Sequence, residues 1–347
     1  MYDAIVVGLG FAGSYLSKIL ERESQKILFL ERRNFIGLNK CTGLISWRFK
    51  KILKLVSDDV VQNIVNYAKF YSPCGIEFEI KSKRKAYVVN RKKLEIELAD
   101  NSSEKRLGES FEALKIKKEY TAVKTKKNLY KTKLVIGCDG ALSKVRKYVT
   151  SYRGYYLIGL QTTARGNFEE DKVELWFGKE ISPDFFGWVV PISNKLAKVG
   201  LATSKDPKKF FYKFTKLRVG RIEKPKFGGI IGIGLIDRSI NERVMLVGDS
   251  AFQVKPFSGG GVIYSSIASE IAKNTLLAAL EKNRFDKKFL EDNYEKMWRE
   301  KIESGIKKGF LIRKLMFLLG DGWIDFLFLN IKTYGKIFLE QLDMDLI

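Results

Sequence analysis

Gly8, Gly10 and Gly13 fall in the stretch GLGFAG, directly after an apolar run and directly before a helix-like one. In such a turn the first glycine permits the sharp bend, the second lets a pyrophosphate approach the backbone, and the third lets helix pack on strand. The anion then rests at the positive end of the helix. Glu31 closes the next apolar run, at about the spacing of twenty residues where a carboxylate takes a pair of ribose hydroxyls. These residues point to a dinucleotide and leave both NAD and FAD open.

Three later segments narrow the choice. In VVNRKKLEIELA, Arg91 opens a helix and can reach a pyrophosphate. In VIGCDGALSKVRK a strand delivers Asp139 and Gly140, and a helix carrying Ser143, Val145 and Arg146 is expected to follow. In VMLVGDSAFQVKPFSGGG, Asp249 can accept a hydroxyl of a polyol chain, and Gly259, Gly260 and Gly261 begin a helix. The positive end of that helix can face a reduced flavin at N1 and O2. Three consecutive glycines carry a large entropic cost, which is consistent with a ring lying against the backbone. The four segments in this order favour FAD.

In that order GLGFAG, Glu31, Arg91, CDGALSKVR and GDSAFQVKPFSGGG resemble the FAD-dependent oxidoreductases of the p-hydroxybenzoate hydroxylase fold, and most closely the archaeal geranylgeranyl reductase family. LNKCTGLIS (38–46), the PFSGGGV ending and FFGWVVP (185–191) favour that subgroup. The resemblance implies non-covalent FAD and adds Phe11, Ala12, Arg32, Cys41, Thr42, Gly43, Gly248, Pro256 and Val262 to the cofactor-binding residues. There are departures. Phe252 stands where the family pattern has glycine, and Phe186 and Val190 replace the tyrosine and phenylalanine of the substrate motif, while Trp188 and Pro191 remain. Flavin halogenases share a Trp-x-x-Pro element, so that motif alone does not separate reduction from oxygen chemistry.

The resemblance further implies reduction of isolated C=C bonds in geranylgeranyl chains of membrane lipids or prenylated quinones. Proton delivery would be coupled to hydride transfer from flavin N5, with NAD(P)H or ferredoxin as electron donor. The chain has no histidine, so the acid must be a cysteine, a tyrosine, a water or the flavin itself. Cys41 is the candidate, either to position the alkene or to relay the proton, against the alternative of a small buried packing residue. Phe185, Phe186, Trp188 and Pro191 are expected to line an apolar tunnel for the isoprenoid, or else to form the core of their sheet. Rival activities are a flavin monooxygenase or halogenase, an isomerase of the lycopene cyclase type, and a nucleotide-binding regulator acting through nucleic acid.

The elements that must hold these residues follow from periodicity. YDAIVVG, LGFAGSYLSKILERES and QKILFLE read as a βαβ unit. The expected class is α/β: a Rossmann-like FAD-binding domain (1–150 and 236–275), an inserted antiparallel-sheet substrate domain (151–235) and a helical C-terminal region (276–347). Within the last, GFLIRKLMFLLGDGWIDFLFLNI (309–331) is apolar but interrupted by Arg313, Lys314, Asp321 and Asp325. It reads as two short helices closing the tunnel or lying on a membrane, with Lys307, Lys308, Arg313 and Lys314 suited to anionic headgroups.

Composition removes other classes. Absence of histidine excludes serine–histidine triads and histidine-held zinc or haem, and three scattered cysteines among 347 residues make neither a zinc nor an iron–sulfur set. The net charge of +23 fits a solvated lysine-rich surface or an anionic membrane surface, and no nucleic-acid-binding signature accompanies it. The charge concentrates in KSKRK (81–85), NRKK (90–93) and KIKKEYTAVKTKKNLYK (115–131), the last reading as a meander of exposed strands. With a strand at the first residues and no apolar run of about 18, a cytoplasmic protein is expected, with peripheral membrane contact left open.

Overall fold

The computed structural model describes residues 1–38, 41–220 and 227–335. Ala4 to Val7 offer no polar face, as a strand covered on both sides requires, and all four are buried. Around them forms a sheet of β1 (Tyr2–Val7), β2 (Ile27–Glu31), β6 (Glu104–Leu107), β7 (Phe111–Ile116), β8 (Thr121–Thr125), β9 (Leu129–Gly137), β15 (Ile240–Asn241) and β16 (Val244–Leu246). Its path runs β15-β16-β9-β1-β2-β6, with β7 and β8 attached to β9 as an antiparallel meander. The pairs among β16, β9, β1, β2 and β6 are parallel. The carboxyl ends of these strands therefore share one edge, where an open parallel sheet binds its ligand.

The second sheet runs β14-β10-β13-β12-β11-β4-β5-β3. Its members are β3 (Leu44–Ile45), β4 (Val61–Tyr71), β5 (Glu77–Val89), β10 (Tyr155–Arg165), β11 (Lys172–Trp176), β12 (Gly187–Ser193), β13 (Leu196–Thr203) and β14 (Phe227–Ile233). Three of its strands thus come from residues 44–89 and five from 155–233. The two contributions meet at β4 and β11, a parallel pair in an otherwise antiparallel sheet. One face packs Val199 and Leu201 on Phe211 and Phe214 of the helix Pro207–Val219. The other packs Phe185, Phe186 and Trp188 against Ile324 and Phe328 of the helix Asp321–Asn330.

Residues 309–331 do form two helices, Ser304–Leu318 and Asp321–Asn330, joined at Gly320. Arg313 does not face outward with its neighbours. Its guanidinium donates to the Asp184 carbonyl at 2.6 Å and lies over the rings of Tyr155, Phe185 and Phe317. The expected headgroup role is therefore corrected for this residue, because the aromatic wall beneath the helix draws the cation inward. The helix expected to carry Ser143, Val145 and Arg146 is also shorter than predicted: only Arg146–Tyr148 make a 3-10 turn. Asp139 explains this, since its carboxylate accepts from the Ser143 hydroxyl (2.5 Å) and from the Lys144 and Val145 amides (2.6 and 3.2 Å), which fixes a turn in place of a helix.

Candidate active site

The glycine turn has the shape its sequence demands. Gly8 has φ +102°, and a side chain on Gly13 would come within 1.9 Å of the Gly8 carbonyl oxygen, so helix and strand touch through backbone alone. At Gly10 an added side chain would meet nothing within 4 Å, so the middle of the turn is open to a ligand. Gly10 caps the helix Phe11–Ile19, in which Phe11 and Ala12 are buried.

Glu31 is buried at the end of β2. It accepts from the Leu9 amide (2.9 Å) and from the amide and guanidinium of Arg33 (3.0 and 2.8 Å). Burial pushes its pKa up, but those donors outweigh burial and hold the carboxyl below its ordinary value. Glu31 thus ties the turn to β2 as a carboxylate. Arg32, beside it, is exposed.

Arg91 opens the helix Arg91–Ala99 as the sequence predicts. It is buried, donates to Glu95 at 2.6 Å and lies 5.3 Å from the Phe11 ring centroid. Its Nε–H has no hydrogen-bond partner. Burial depresses its pKa, but the acidic groups around it, Glu95 and Asp249 among them, more than reverse this, so the guanidinium stays charged.

Asp249 follows β16 in a turn that begins with Gly248 at φ +74°. A side chain on Gly261 would come within 3.0 Å of Asp249 Oδ1, and the helix Val262–Glu281 starts one residue later, with Val262 buried. Burial raises the Asp249 pKa while Arg91 and Arg146 hold it back. Arg146 joins this turn to the Asp139–Gly140 turn: it donates to the carbonyls of Ser250 (2.7 Å), Ala141 (2.8 Å) and Asp249 (3.1 Å). Gly140, at φ +84°, faces open space.

Phe252 occupies the left-handed region (φ 54°, ψ 30°), the conformation a glycine would take there without strain. Its ring lies 4.0 Å beneath the Arg146 guanidinium and packs on Tyr152 and Tyr156. Side chains on Gly154, Gly232 or Gly234 would meet that ring at 2.4, 3.1 and 3.1 Å. Three glycines elsewhere in the chain thus make the room that Phe252 needs.

Cys41 is exposed. Its sulfur accepts from the Gly43 amide at 3.4 Å, and Thr42 donates to Gln161 of β10 at 3.0 Å. Asn39 and Lys40, part of the same predicted motif, lie outside the described residues, as do residues 336–347 of the C-terminal region. Gly43 has φ +81° and sits against the Val89 carbonyl. Pro256 is buried against Gly309, and the half-buried Gly260 lies against the Lys255 side chain. A side chain on Gly259 would come within 3.5 Å of the Phe185 ring, so the glycine turn abuts the aromatic face of the second sheet. There Phe185 and Phe186 stack at 4.2 Å, with Trp188 and Phe257 beside Phe186. Pro191 is buried farther along β12, where its carbonyl accepts from Asn63 at 3.0 Å.

One residue escaped the sequence reading. Lys198 of β13 directs its Nζ to the carbonyls of Thr42 (2.7 Å) and Val89 (3.2 Å). A signal existed, since Lys198 is the lone charge in LAKVGLAT, a strand whose other residues are apolar apart from the final threonine.

The residues present fit a flavin dinucleotide. Gly10 and Gly140 leave open backbone, Gly261 leaves room beside Asp249, and the buried Arg91 Nε–H lacks a partner that a phosphate or ring acceptor would supply. Among the described residues no group of acidic, cysteine or histidine side chains could hold a metal. The fold is that of FAD-dependent oxidoreductases of the p-hydroxybenzoate hydroxylase type.

Comparison with known proteins sharpens the class. No family model matches the chain. It is 27% identical to digeranylgeranylglycerophospholipid reductase 1 of Methanococcoides burtonii, over 99% of this chain and 90% of that protein. It is also 27% identical to the digeranylgeranylglycerophospholipid reductase of Methanosarcina acetivorans, over 96% and 89%. A geranylgeranyl bacteriochlorophyll reductase-like protein from Thermoplasma acidophilum shares the fold with a TM-score of 0.87, covering 99% of this chain and 94% of that one at 22% identity. A myxobacterial FAD-dependent halogenase aligns less closely, with a TM-score of 0.70 at 16% identity, over 91% and 83%. The resemblance to archaeal geranylgeranyl reductases therefore extends along nearly the whole chain.

Proposed function

We propose that this protein is an FAD-dependent reductase that saturates C=C bonds in the geranylgeranyl chains of membrane lipids. The observation that carries the reading is the meeting of the Gly259–Gly261 turn with the wall of Phe185, Phe186, Trp188 and Phe257. A flavin held at that turn would adjoin this buried aromatic cluster, whose apolar side chains suit a hydrocarbon chain and give a polar substrate little to bind. Burying isoprenoid carbon supplies affinity of roughly 0.8 kcal/mol per CH2, and the same wall excludes water that would otherwise capture a cationic intermediate.

Gly8, Gly10, Gly13 and Arg91 would hold the pyrophosphate, Glu31 the adenosine ribose, Asp249 the polyol chain, and Gly259 to Gly261 the ring. Bound FAD, once reduced, supplies the hydride for one alkene carbon. Cys41, exposed at the turn beside the second sheet, gives the proton to the other. Electrons reach the protein from NAD(P)H or from ferredoxin, an acidic partner for which its positive charge is suited.

Access for the lipid is assigned to the helical pair. No helix among the described residues is long and apolar enough to cross a membrane. Leu311, Leu315, Leu319, Phe326 and Leu329 are nonetheless exposed along this pair, with Lys307, Lys308 and Lys314 exposed among them. Such a surface fits an anionic bilayer.

The test is anaerobic. Dithionite-reduced protein is mixed with a geranylgeranyl lipid in anionic or neutral vesicles, and flavin absorbance and product mass are followed together. Reoxidation with two hydrogens gained per double bond is expected, several-fold faster with anionic vesicles at low salt. A flavin that stays reduced until oxygen is admitted would transfer the assignment to a monooxygenase or halogenase. Equal rates in both vesicles would remove the membrane surface from the reading.

A further inference from the structure

Register fixes which residues of the second sheet face the cleft. On β10, Leu157, Gly159 and Gln161 share one face. Their partners there are Ile231 and Gly229 on β14, and Ala202 and Gly200 on β13. Leu157 and Ala202 belong to the cluster of Phe185, Phe186 and Trp188, whereas Leu160 packs with Phe211 and Phe214 on the opposite face. The middle of the cleft face is almost bare of side chains. A side chain on Gly159 would meet nothing closer than 3.6 Å, and what it meets there is the sheet itself: the Gly229 carbonyl, then Ile231 and Ala202. Ile231 also lies 3.3 Å from where a side chain on Gly259 would stand, so this bare floor begins at the glycine turn.

Small residues only make room; the far end of the floor says for what. Gln161 is 4% exposed, and its Oε1 accepts from the Thr42 hydroxyl at 3.0 Å. That bond leaves the Nε2 amine as the free end of the carboxamide, and among the described residues it donates no hydrogen bond. The indole N–H of Trp188, buried nearby, also lacks an acceptor. A side chain on Gly200 would come within 2.6 Å of Gln161 Cβ and 2.8 Å of the Trp188 ring, so a glycine is required for these two residues to close on each other. Buried donors are ordinarily paired, and here two stand together at the end of an open floor.

We propose that this floor is a substrate subsite: the isoprenoid chain lies across Gly159, and the oxygen that ends the chain accepts a hydrogen bond from Gln161 Nε2. The inference rests on the reading of the protein as a prenyl reductase and adds to it a specificity-determining residue. An apolar wall holds a hydrocarbon without fixing its position along the cleft, whereas a single polar contact sets it. Leu157 and Gln161 are four residues apart, about 13 Å along a strand. An oxygen anchored at Gln161 therefore decides which alkene comes to rest beside the glycine turn. A carboxamide is uncharged and offers N–H donors, so the ligand class is an isoprenoid ending in an ether or ester oxygen.

The test measures binding, not turnover, on the FAD-loaded protein. Tritiated phytanyl methyl ether, whose oxygen can only accept, and phytane, the same hydrocarbon without oxygen, are partitioned onto the protein from neutral micelles. The parent is expected to prefer the ether about fivefold, the effect of one hydrogen bond. Gln161→Glu keeps the bond from Thr42 but has no N–H, so the preference should vanish while phytane binding stays within about twofold. If Gln161→Glu does not fold, Gln161→Leu, which also lacks the donor, is read in the same way. Gly159→Val should weaken both ligands at least about tenfold. It should do so with FAD retained and the melting temperature not lowered, because valine suits a strand and its Cβ meets nothing closer than 3.6 Å. Equal binding of ether and phytane by the parent, or a preference that survives in Gln161→Glu, would overturn the role of Gln161. Unimpaired binding by Gly159→Val would show that no chain lies on the floor, and loss of FAD from it would give the floor to the cofactor; either overturns the subsite. The expected binding pattern without any prenyl reduction would leave the subsite standing and overturn the proposed reaction alone.

Discussion

The two ends of the candidate cleft are made of different materials. At the nucleotide end, Gly8, Gly10 and Gly13 present backbone, and Glu31 is held as a carboxylate by three donors. At the opposite end, the 41–43 turn carries Cys41 and is held by Lys198, and burial shifts the pKa values of Lys198 and Asp249 while charged neighbours add to or oppose it. A site built of backbone and a carboxylate that stays ionised above its ordinary pKa is fixed by sterics and indifferent to pH near neutrality. One built of mutually perturbed ionisable groups is adjustable, and its behaviour changes with every proton that moves. Binding and chemistry should therefore be separable by mutation.

The contrast can be broken at its rigid end first. Gly13→Ala places a methyl group within 1.9 Å of the Gly8 carbonyl oxygen, so helix and strand must part. FAD retention after gel filtration is expected to be lost, with affinity down at least about a hundredfold. A variant that stays yellow would show that the turn is softer than its geometry implies. At the adjustable end, Cys41→Ser should leave FAD affinity within about twofold and lower turnover at least about tenfold, since a serine hydroxyl is a far weaker acid. Unchanged turnover in single-turnover kinetics would remove Cys41 from the chemistry.

The smallest effect is expected from Glu31→Gln, which should destabilise the protein by about 1–3 kcal/mol at neutral pH. The Glu31 pKa is depressed in the folded state, so its contribution is complete above the ordinary value of 4.5 and is lost as pH falls through the lower folded value. Urea midpoints of parent and variant should therefore converge in acid. A gap that persists there would mean that Glu31 acts by packing and not by charge.

The rigid end was readable in advance because its determinants are contiguous. A glycine spacing between two apolar runs specifies strand, turn and helix, and Gly8, Gly10, Gly13 and Glu31 all fall where that grammar places them. The adjustable end was only partly readable. Cys41 and Arg91 could be singled out by residue type, but their relation to Lys198 exists only once β13 lies across the 41–43 turn. In the second sheet KSKRK suggests solvent, and Lys81, Lys83, Arg84 and Lys85 are exposed, but nothing in it marks the change to burial at Ala86 to Val89 further along the same strand. Long-range pairing of β4 with β11 leaves no local trace in either segment. Arg313 is the converse case, a cation that reads as surface and is drawn inward by the rings of Tyr155 and Phe185, which are distant in sequence.

Phe252 has a mechanical consequence. Its ring is a peg seated among Gly154, Gly232 and Gly234, on the margin of the second sheet, while its backbone belongs to the turn that follows β16 of the first. A joint of that kind resists sliding and leaves little play between the two sheets on its side of the cleft. If the proposed isoprenoid substrate needs more width, that width must be gained away from Phe252, and the helical pair Ser304–Leu318 and Asp321–Asn330, which covers the aromatic cluster, is the part placed to give it.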